Sequence, residues 1–169
     1  DYYVDEQDLN NVISINENEI LFGDRSLIIL NTKTNTHRKP YDSIIEKELG
    51  ISMDSIRISS ISKDNNENFY IGTRSDHGII VLSEKGIKVD QYFPLLPDPV
   101  SGKIPRTIVG EIAVDKSDRL WIPLYNVGLS TFSLVDKKFE LHTPDPNNKN
   151  SLSDAQIETI MIDNSGCLL

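Results

Sequence analysis

The chain repeats one short pattern of apolar and polar positions. Two β-branched residues stand three apart, a polar residue follows three further on, and a short apolar run comes next. Three copies, beginning at Ile58, Val109 and Ile157, have a carboxylate at the polar position, and a weaker copy at Val12 has an asparagine there. The repeat period is about 50 residues, and self-similarity near that period, with strand-forming residues in each copy, indicates a propeller or a solenoid array.

Each copy predicts a small sheet of four short strands, separated by turns that contain Asp, Asn and Gly. In the second unit the predicted strands are 56–62, 69–73, 78–82 and 88–93. In the third unit they are 107–114, 120–124, 128–132 and 138–143, and the fourth unit starts with 156–162. The later strands of the first unit are expected at 27–30 and 36–41. The sequence therefore predicts an all-β fold made of β-propeller blades, each a four-stranded antiparallel sheet.

The predicted organisation is a single partial β-propeller over residues 1–169. Its approximate blades are 9–41, 56–93, 107–143 and an incomplete 156–169. Closed propellers have about four to eight blades, so about three and a half repeats predict a fragment of a larger propeller. Of the connections, 42–55 predicts a turn or two of helix around 44–49, whereas the prolines in 94–106 predict an extended segment.

Composition narrows the range of partners. The chain has 169 residues and a formal net charge of −9. Nucleic acids and anionic membrane surfaces are both bound through Lys and Arg, so this acidic balance argues against either as a partner. No apolar run approaches the roughly 18 residues of a membrane span. Cys167 is the single cysteine, which rules out an intrachain disulfide and predicts a structural thiol.

The strand motifs resemble a known family, the two-component regulator propeller repeat. Its second-strand motif corresponds to 69–73 (Phe-Tyr-Ile-Gly-Thr) and 120–122 (Leu-Trp-Ile), and its third-strand start to the Gly-Ile and Gly-Leu pairs at 78–79 and 128–129. The stretch 139–153 is similar to the linker between such blades. This chain departs from the pattern at Pro123, which replaces a motif glycine, and at Glu67 and Asp118, which replace the turn glycine. These departures predict degenerate blades with a local bulge.

The resemblance implies a function as well as a fold. Proteins with these repeats are mostly extracytoplasmic sensor regions of hybrid two-component histidine kinases, many of them oligosaccharide sensors of Bacteroides-type bacteria. It therefore implies a periplasmic location as part of an inner-membrane protein, an oligosaccharide or other small ligand, and a homodimer in the full-length form. Membrane contact is expected only through segments absent from this chain. Kinase activity is likewise expected elsewhere, so this chain is not expected to be an enzyme.

The candidate ligand-binding residues lie in the loops between second and third strands. Such loops, together with the connections between blades, converge on one face of a propeller. The loop of the second unit contains Arg74, Asp76 and His77, and the loop of the third contains Tyr125 and Asn126. Guanidinium, carboxylate and amide groups suit sugar hydroxyls, and an aromatic ring suits the apolar face of a sugar. The alternative is that these are solvated loop residues, since loops are polar for many reasons.

No catalytic residue, metal ligand or cofactor is predicted. The three histidines fall in different units without ligand spacing, and phosphate-loop, nucleophile-elbow and zinc signatures are absent from the sequence. The repeated aspartates Asp64, Asp115 and Asp163 each begin a turn, so we expect them to accept the N–H groups of that turn. Trp121 occupies a motif position where packing between blades is expected.

Two other functional classes remain open at this point. A propeller lyase or glycosidase needs acids from several blades within hydrogen-bond reach of each other. The inner strands offer Glu111 and Glu158, at different positions in their copies, which disfavours that class. The third class is a structural propeller that docks another protein through apolar faces.

Overall fold

The structure, a computed structural model, describes residues 11–74, 77–83, 88–92, 109–157, 159–163, 165 and 167–169. Three four-stranded antiparallel sheets, named here blades 1 to 3, follow each other along the chain. Blade 1 consists of β1 Val12–Asn16, β2 Glu19–Gly23, β3 Leu27–Asn31 and β4 Thr36–Arg38. Blade 2 consists of β5 Ile58–Lys63, β6 Phe69–Thr73, β7 Ile79–Ser83 and β8 Lys88–Tyr92. Blade 3 consists of β9 Ala113–Val114, β10 Arg119–Leu124, β11 Gly128–Ser133 and β12 Lys138–His142.

The prediction of four-stranded antiparallel blades is confirmed, with three corrections to strand length. β4 ends at Arg38 rather than at 41, because Pro40 has no N–H for a ladder and Tyr41 already caps the following helix. β9 is two residues long instead of the predicted 107–114, although positions 107 and 108 lie outside the described residues. The cause is Pro123 on the partner strand: its carbonyl accepts from Gly110 N at 2.8 Å, but it has no N–H to donate in return.

The third correction concerns the predicted strand 156–162. The described part of the fourth unit forms only an isolated antiparallel bridge, between Ile162 and Leu168. Its main-chain hydrogen bonds join Met161 to Leu169 in both directions, at 3.1 and 2.8 Å. Asp163 N also donates to the Cys167 carbonyl at 2.9 Å, so the described pairing covers 161–163, the end of the predicted strand.

The core lies between neighbouring blades rather than inside any one of them. One buried cluster joins blades 1 and 2 and includes Leu21, Leu27, Ile58, Ile71 and Leu82. A second joins blades 2 and 3 and includes Tyr70, Ile79, Val109, Ile122 and Phe132. Every residue of β6 is buried, because blade 2 is covered on both faces.

A glycine near the end of the second strand lets the next blade approach closely. A Cβ on Gly23 would lie 3.0 Å from Ile58 Cδ1, and a Cβ on Gly72 would lie 3.1 Å from Val109 Cγ1. Ile58 and Val109 are the first β-branched residues of the repeated pattern. The glycine and the β-branched residue are therefore two halves of one contact between blades.

The connection between blades 1 and 2 contains the predicted helix, α1 Asp42–Leu49. Gly50 ends it with φ +68°, and its N–H donates to the Glu46 carbonyl. The Asp42 carboxylate accepts hydrogen bonds from Leu27 N at 2.9 Å and from the Ser26 hydroxyl, which ties the helix start to blade 1. Ile45 is buried in the first core cluster. Within the part of the chain that the structure describes, no helix has the length and apolar character needed to cross a membrane.

Candidate functional site

The repeated aspartates organise their own turns, as predicted. Asp64 Oδ1 accepts from Asn66 N at 2.8 Å and from Asn68 N at 2.9 Å. Asp115 makes the same two contacts in blade 3, at 2.8 and 3.0 Å. In the fourth unit Asp163 Oδ1 accepts from the backbone N–H of the exposed Cys167 at 2.8 Å. These carboxylates are already occupied by main-chain donors, so they belong to the scaffold rather than to a ligand site.

A second contact of these aspartates was not predicted. Asp64 Oδ2 accepts from the Tyr70 hydroxyl at 3.0 Å, and Asp115 Oδ2 accepts from Trp121 Nε1 at 2.9 Å. The sequence signal for it is an aromatic residue with a polar hydrogen, six positions after each aspartate. Tyr70, at the corresponding position of blade 2, lies in the core cluster between blades 2 and 3, whereas packing of Trp121 between blades stays a prediction. Trp121 itself is only half-buried, with the Arg119 guanidinium 5.8 Å from its ring centroid.

The loops that follow β2, β6 and β10 lie at one end of the blades, which we call the seam end. Here each loop contacts the chain that leads into the next blade. Between blades 1 and 2, Ile58 N donates to Asp24 O at 2.6 Å, and within blade 2 Arg74 N donates to Arg57 O at 2.7 Å. Between blades 2 and 3, Val109 N donates to Thr73 O at 3.2 Å.

Arg74 and His77 lie at this end, beside the connection that enters blade 2. The Arg74 side chain is exposed. His77 Nε2 is 3.1 Å from Ser55 Oγ, and the His77 carbonyl accepts from Gln91 Nε2 at 2.7 Å. Asp76, the third candidate of this loop, lies outside the described residues.

The Ser55–His77 pair does not form an activated nucleophile. Ser55 Oγ donates to the Ser52 carbonyl at 2.6 Å, so its single hydrogen is already used. Toward His77 the hydroxyl therefore accepts, and His77 Nε2 is the donor. A catalytic serine needs the opposite direction of donation, from hydroxyl to imidazole.

Tyr125 and Asn126 lie at the same end of blade 3. The side chain of Tyr125 is exposed, at 59% of its full accessible area. Asn126 adopts φ +57°, and its Oδ1 accepts from Gln156 Nε2 of the fourth unit at 3.2 Å. Close in the chain, Thr159 Oγ1 donates to Glu111 Oε2 at 2.7 Å. The seam between blade 3 and the fourth unit thus combines one exposed aromatic ring with amide, hydroxyl and carboxylate groups.

The structure places the four described candidates in two corresponding loops of adjacent blades, at one end. The partners of three of them were not predicted from the sequence: Arg57 for Arg74, Ser55 for His77, and Gln156 of the fourth unit for Asn126. Arg57 and Gln156 occupy the same position of the repeat, immediately before its first β-branched residue. That shared position is the sequence signal that identifies them. Within the described ranges, no group of three or more His, Cys, Asp or Glu side chains is arranged to hold a metal ion.

Comparison with known proteins identifies the fold. No family model matches the sequence, and no curated protein matches it. Among solved structures, the extracellular domain of the putative hybrid two-component system BT3049 from B. thetaiotaomicron is similar over 99% of this chain and 20% of its own, with 18% identity and a TM-score of 0.60. PorZ, a surface component of the type-IX secretion system of Porphyromonas gingivalis, is similar over 92% and 23%, with 19% identity and a TM-score of 0.60.

A third similar structure is virginiamycin B lyase from Staphylococcus aureus, over 94% of this chain and 48% of its own, with 12% identity and a TM-score of 0.59. This chain spans about a fifth of the length of BT3049's extracellular domain. At such identities the likeness shows a shared fold. The class of the chain is therefore β-propeller, as predicted. A sensor, a secretion component and a lyase share that architecture, so function has to be argued from the site.

Proposed function

We propose that the chain belongs to the extracytoplasmic, ligand-sensing region of a hybrid two-component histidine kinase, and that its ligand is an oligosaccharide. Support for a sensor comes from the propeller-repeat motifs and from the likeness to BT3049's extracellular domain over 99% of the chain. In this proposal the chain lies in the periplasm, and the complete protein is a homodimer attached to the membrane through other segments.

The observation that carries the saccharide proposal is the polar seam beside Tyr125. Saccharides are bound by an aromatic ring against the apolar sugar face and by planar polar groups on the hydroxyls. The exposed Tyr125 ring and the Asn126–Gln156 amide pair supply both, on adjacent structural units. A ligand that touches both sides of a seam binds one arrangement of the units more tightly than another. Such differential affinity is required before binding can shift a signalling equilibrium.

Calorimetric titration tests the proposal, using the complete sensor region (all blades of the propeller) and a panel of neutral and acidic oligosaccharides. We expect at least one saccharide to bind. Replacing Tyr125 by Ala should then weaken its binding about tenfold, which corresponds to about 1.4 kcal/mol of lost contact. The matched control is Val135→Ala, which truncates an apolar side chain that is 75% exposed between β11 and β12, and should leave affinity unchanged. Absence of saccharide binding, with tight binding of a protein partner, would instead support the docking class.

The likeness to virginiamycin B lyase favours one second candidate, a polysaccharide lyase. Its acid–base groups would have to come from the seam end. Of the two carboxylates predicted in inner strands, Glu111 is the one within the described residues. Incubation of the complete protein with uronate polysaccharides, followed by ultraviolet absorbance of unsaturated products, separates the two candidates. A sensor releases no such product, and a lyase does so catalytically, with the rate lost in Glu111→Gln.

A further inference from the structure

Arginine is distributed unevenly over this acidic chain. The sequence has six arginines. Arg25 and Arg57 lie on the two sides of the seam between blades 1 and 2, and Arg74 lies beside Arg57 within blade 2. The seam between blade 3 and the fourth unit, by contrast, has Tyr125, Asn126 and Gln156. Guanidinium groups are therefore concentrated at one seam of a protein with a net charge of −9.

Main-chain hydrogen bonds hold the three arginines close together. Arg74 N donates to the Arg57 carbonyl at 2.7 Å, so their backbones are in direct contact. Ile58, which follows Arg57, donates its N–H to Asp24 O at 2.6 Å. Asp24 immediately precedes Arg25. Arg25 Nη1 reaches back across the seam to the Asp54 carbonyl at 3.3 Å. All three side chains originate from one small, hydrogen-bonded patch of backbone.

His77 borders the same patch, with the Nε2 hydrogen already donated to Ser55 Oγ. Its Nε2 lies 3.1 Å from Ser55 Oγ, two residues before Arg57 in the chain. The patch therefore gathers donors from three elements: the loop after β2, the connection into β5, and the loop after β6. A ligand placed there would touch both blades.

Among the residues that the structure describes, three carboxylates lie at the patch: those of Asp24, Asp42 and Asp54. Asp42 is committed to Ser26 and Leu27, and the Asp54 side chain is exposed. Asp24 Oδ1 is 3.7 Å from Arg57 Nε, with both side chains about half exposed. That distance exceeds an ordinary N–H···O hydrogen bond, and exposed pairs of this kind contribute about 0–1 kcal/mol. The Asp24–Arg57 ion pair is therefore weak, and breaking this one pair costs little.

From these contacts we infer that the seam between blades 1 and 2 is a subsite for an oxyanion, the carboxylate or sulfate group of an acidic oligosaccharide. The inference rests on the proposed saccharide-sensing function and specifies its ligand class. Arginine is suited to this chemistry because its planar fork donates two parallel N–H bonds to a carboxylate or a sulfate. The amide-rich seam beside Tyr125 would bind uncharged sugar units of the same ligand.

Titration of the complete sensor region with matched ligands tests this inference. The probes are an oligogalacturonate, its carboxyl-reduced neutral derivative of the same linkage and length, and a sulfated galactan oligosaccharide without carboxylates. We expect an acidic probe to bind at least about tenfold more tightly than the neutral derivative, with an affinity that falls as sodium chloride is raised. Preference for the carboxylate or for the sulfate probe identifies the source of the oxyanion.

Variants locate the subsite on the protein. Arg74→Gln is the main variant, because the Arg74 side chain is exposed and its backbone contact with Arg57 is kept. It should weaken the acidic probe about tenfold and leave the neutral derivative unchanged. Arg74→Lys should recover only part of the affinity, since an ammonium lacks the fork. The matched control is Arg38→Gln, which removes a guanidinium paired with Glu19 at the opposite end of blade 1.

The possible failures are distinguishable. Equal or tighter binding of the neutral derivative, or acidic-probe affinity that Arg74→Gln and Arg57→Gln leave intact, overturns the oxyanion subsite while saccharide sensing stands. If none of the saccharides in the wider panel binds the wild-type protein, the proposed function fails and the subsite fails with it. Thermal unfolding of each variant confirms that a lost affinity reflects the binding surface rather than the fold.

Discussion

The Tyr70 hydroxyl donates a 3.0 Å hydrogen bond to Asp64 Oδ2, inside the interface between blades 2 and 3. The same carboxylate holds its own turn through Asn66 N and Asn68 N. One aspartate therefore fixes the turn between β5 and β6 and also the orientation of a ring that packs against the next blade. In blade 3 the corresponding pair is Asp115 with Trp121 Nε1, at 2.9 Å.

Removing the hydroxyl of Tyr70 should destabilise the fold by about 1.5–3 kcal/mol, the contribution of a hydrogen bond to a charged group. The variant is Tyr70→Phe, which keeps the buried ring, and the measurement is urea unfolding at neutral pH. Tyr125→Phe is the control, because that side chain is exposed and its hydroxyl is outside the core. Equal stability of Tyr70→Phe and the wild type would show that the Asp64 contact is structurally neutral.

The same residue should make stability fall at high pH. Burial, with smaller contributions from the Asp64 charge and hydrogen bond, raises the pKa of Tyr70 above its ordinary value near 10. The folded state then keeps a proton that the unfolded chain loses above pH of about 10, so the free energy of unfolding decreases by up to about 1.4 kcal/mol per pH unit. Below pH of about 10 both states hold the proton and this effect vanishes.

Urea unfolding at several pH values between neutral and alkaline measures this dependence. In Tyr70→Phe the slope should be shallower, although not zero, because burial also raises the pKa of Tyr41. An identical alkaline slope in the variant would assign the loss of stability to other groups.

Gly72 should not tolerate a side chain. A Cβ there would lie 2.6 Å from Ser60 Oγ and 3.1 Å from Val109 Cγ1, so Gly72→Ala forces blades 2 and 3 apart. Overpacking of this kind costs about 1–3 kcal/mol, measurable as a drop in the urea midpoint. In a Ser60→Ala background the cost should be smaller, because the nearest clash is gone. A cost that is unchanged in that background would mean that strain in the backbone, not contact with Ser60, is responsible.

Two turns have a non-glycine residue where the repeat has glycine. Glu67 and Asp118 have φ of +63° and +55°, a conformation that costs a residue with a Cβ about 1–2 kcal/mol. Because glycine also gains entropy when unfolded, Glu67→Gly should stabilise by a net amount of about 0.5–1 kcal/mol. Thermal unfolding checks it, with Asn65→Gly as the control in the same turn. Asn65 is not among the described residues with positive φ, so its replacement should stabilise nothing.

Periodicity predicted the parts of the fold that each blade determines locally. The aspartate turns and the strands around 69–73 and 120–124 repeat in sequence and form as expected. Helix α1 was also predictable, since its apolar residues and Gly50 mark both its face and its end. The short β9 was not predicted, because the effect of Pro123 on its partner strand depends on the register between them.

The candidate site was only half predictable, for a related reason. Loop position pointed to Arg74, His77, Tyr125 and Asn126, which the structure places at the seam end. The repeat marks the positions of Arg57 and Gln156, but which side chain each one contacts depends on how the chain entering a blade packs against these loops. Asn126 is an example: its contact with Gln156 joins residues thirty positions apart.

The central claim is that ligands bind at the seam end, and hydrogen–deuterium exchange tests it most directly. The complete sensor region is compared with and without a saturating saccharide that calorimetry has shown to bind. We expect slower exchange at 122–127 and 154–157, with no change in the Asp115 turn at the opposite end of blade 3. Protection confined to the Asp115 turn, or no protection at either end of blade 3, would contradict ligand binding at the seam end.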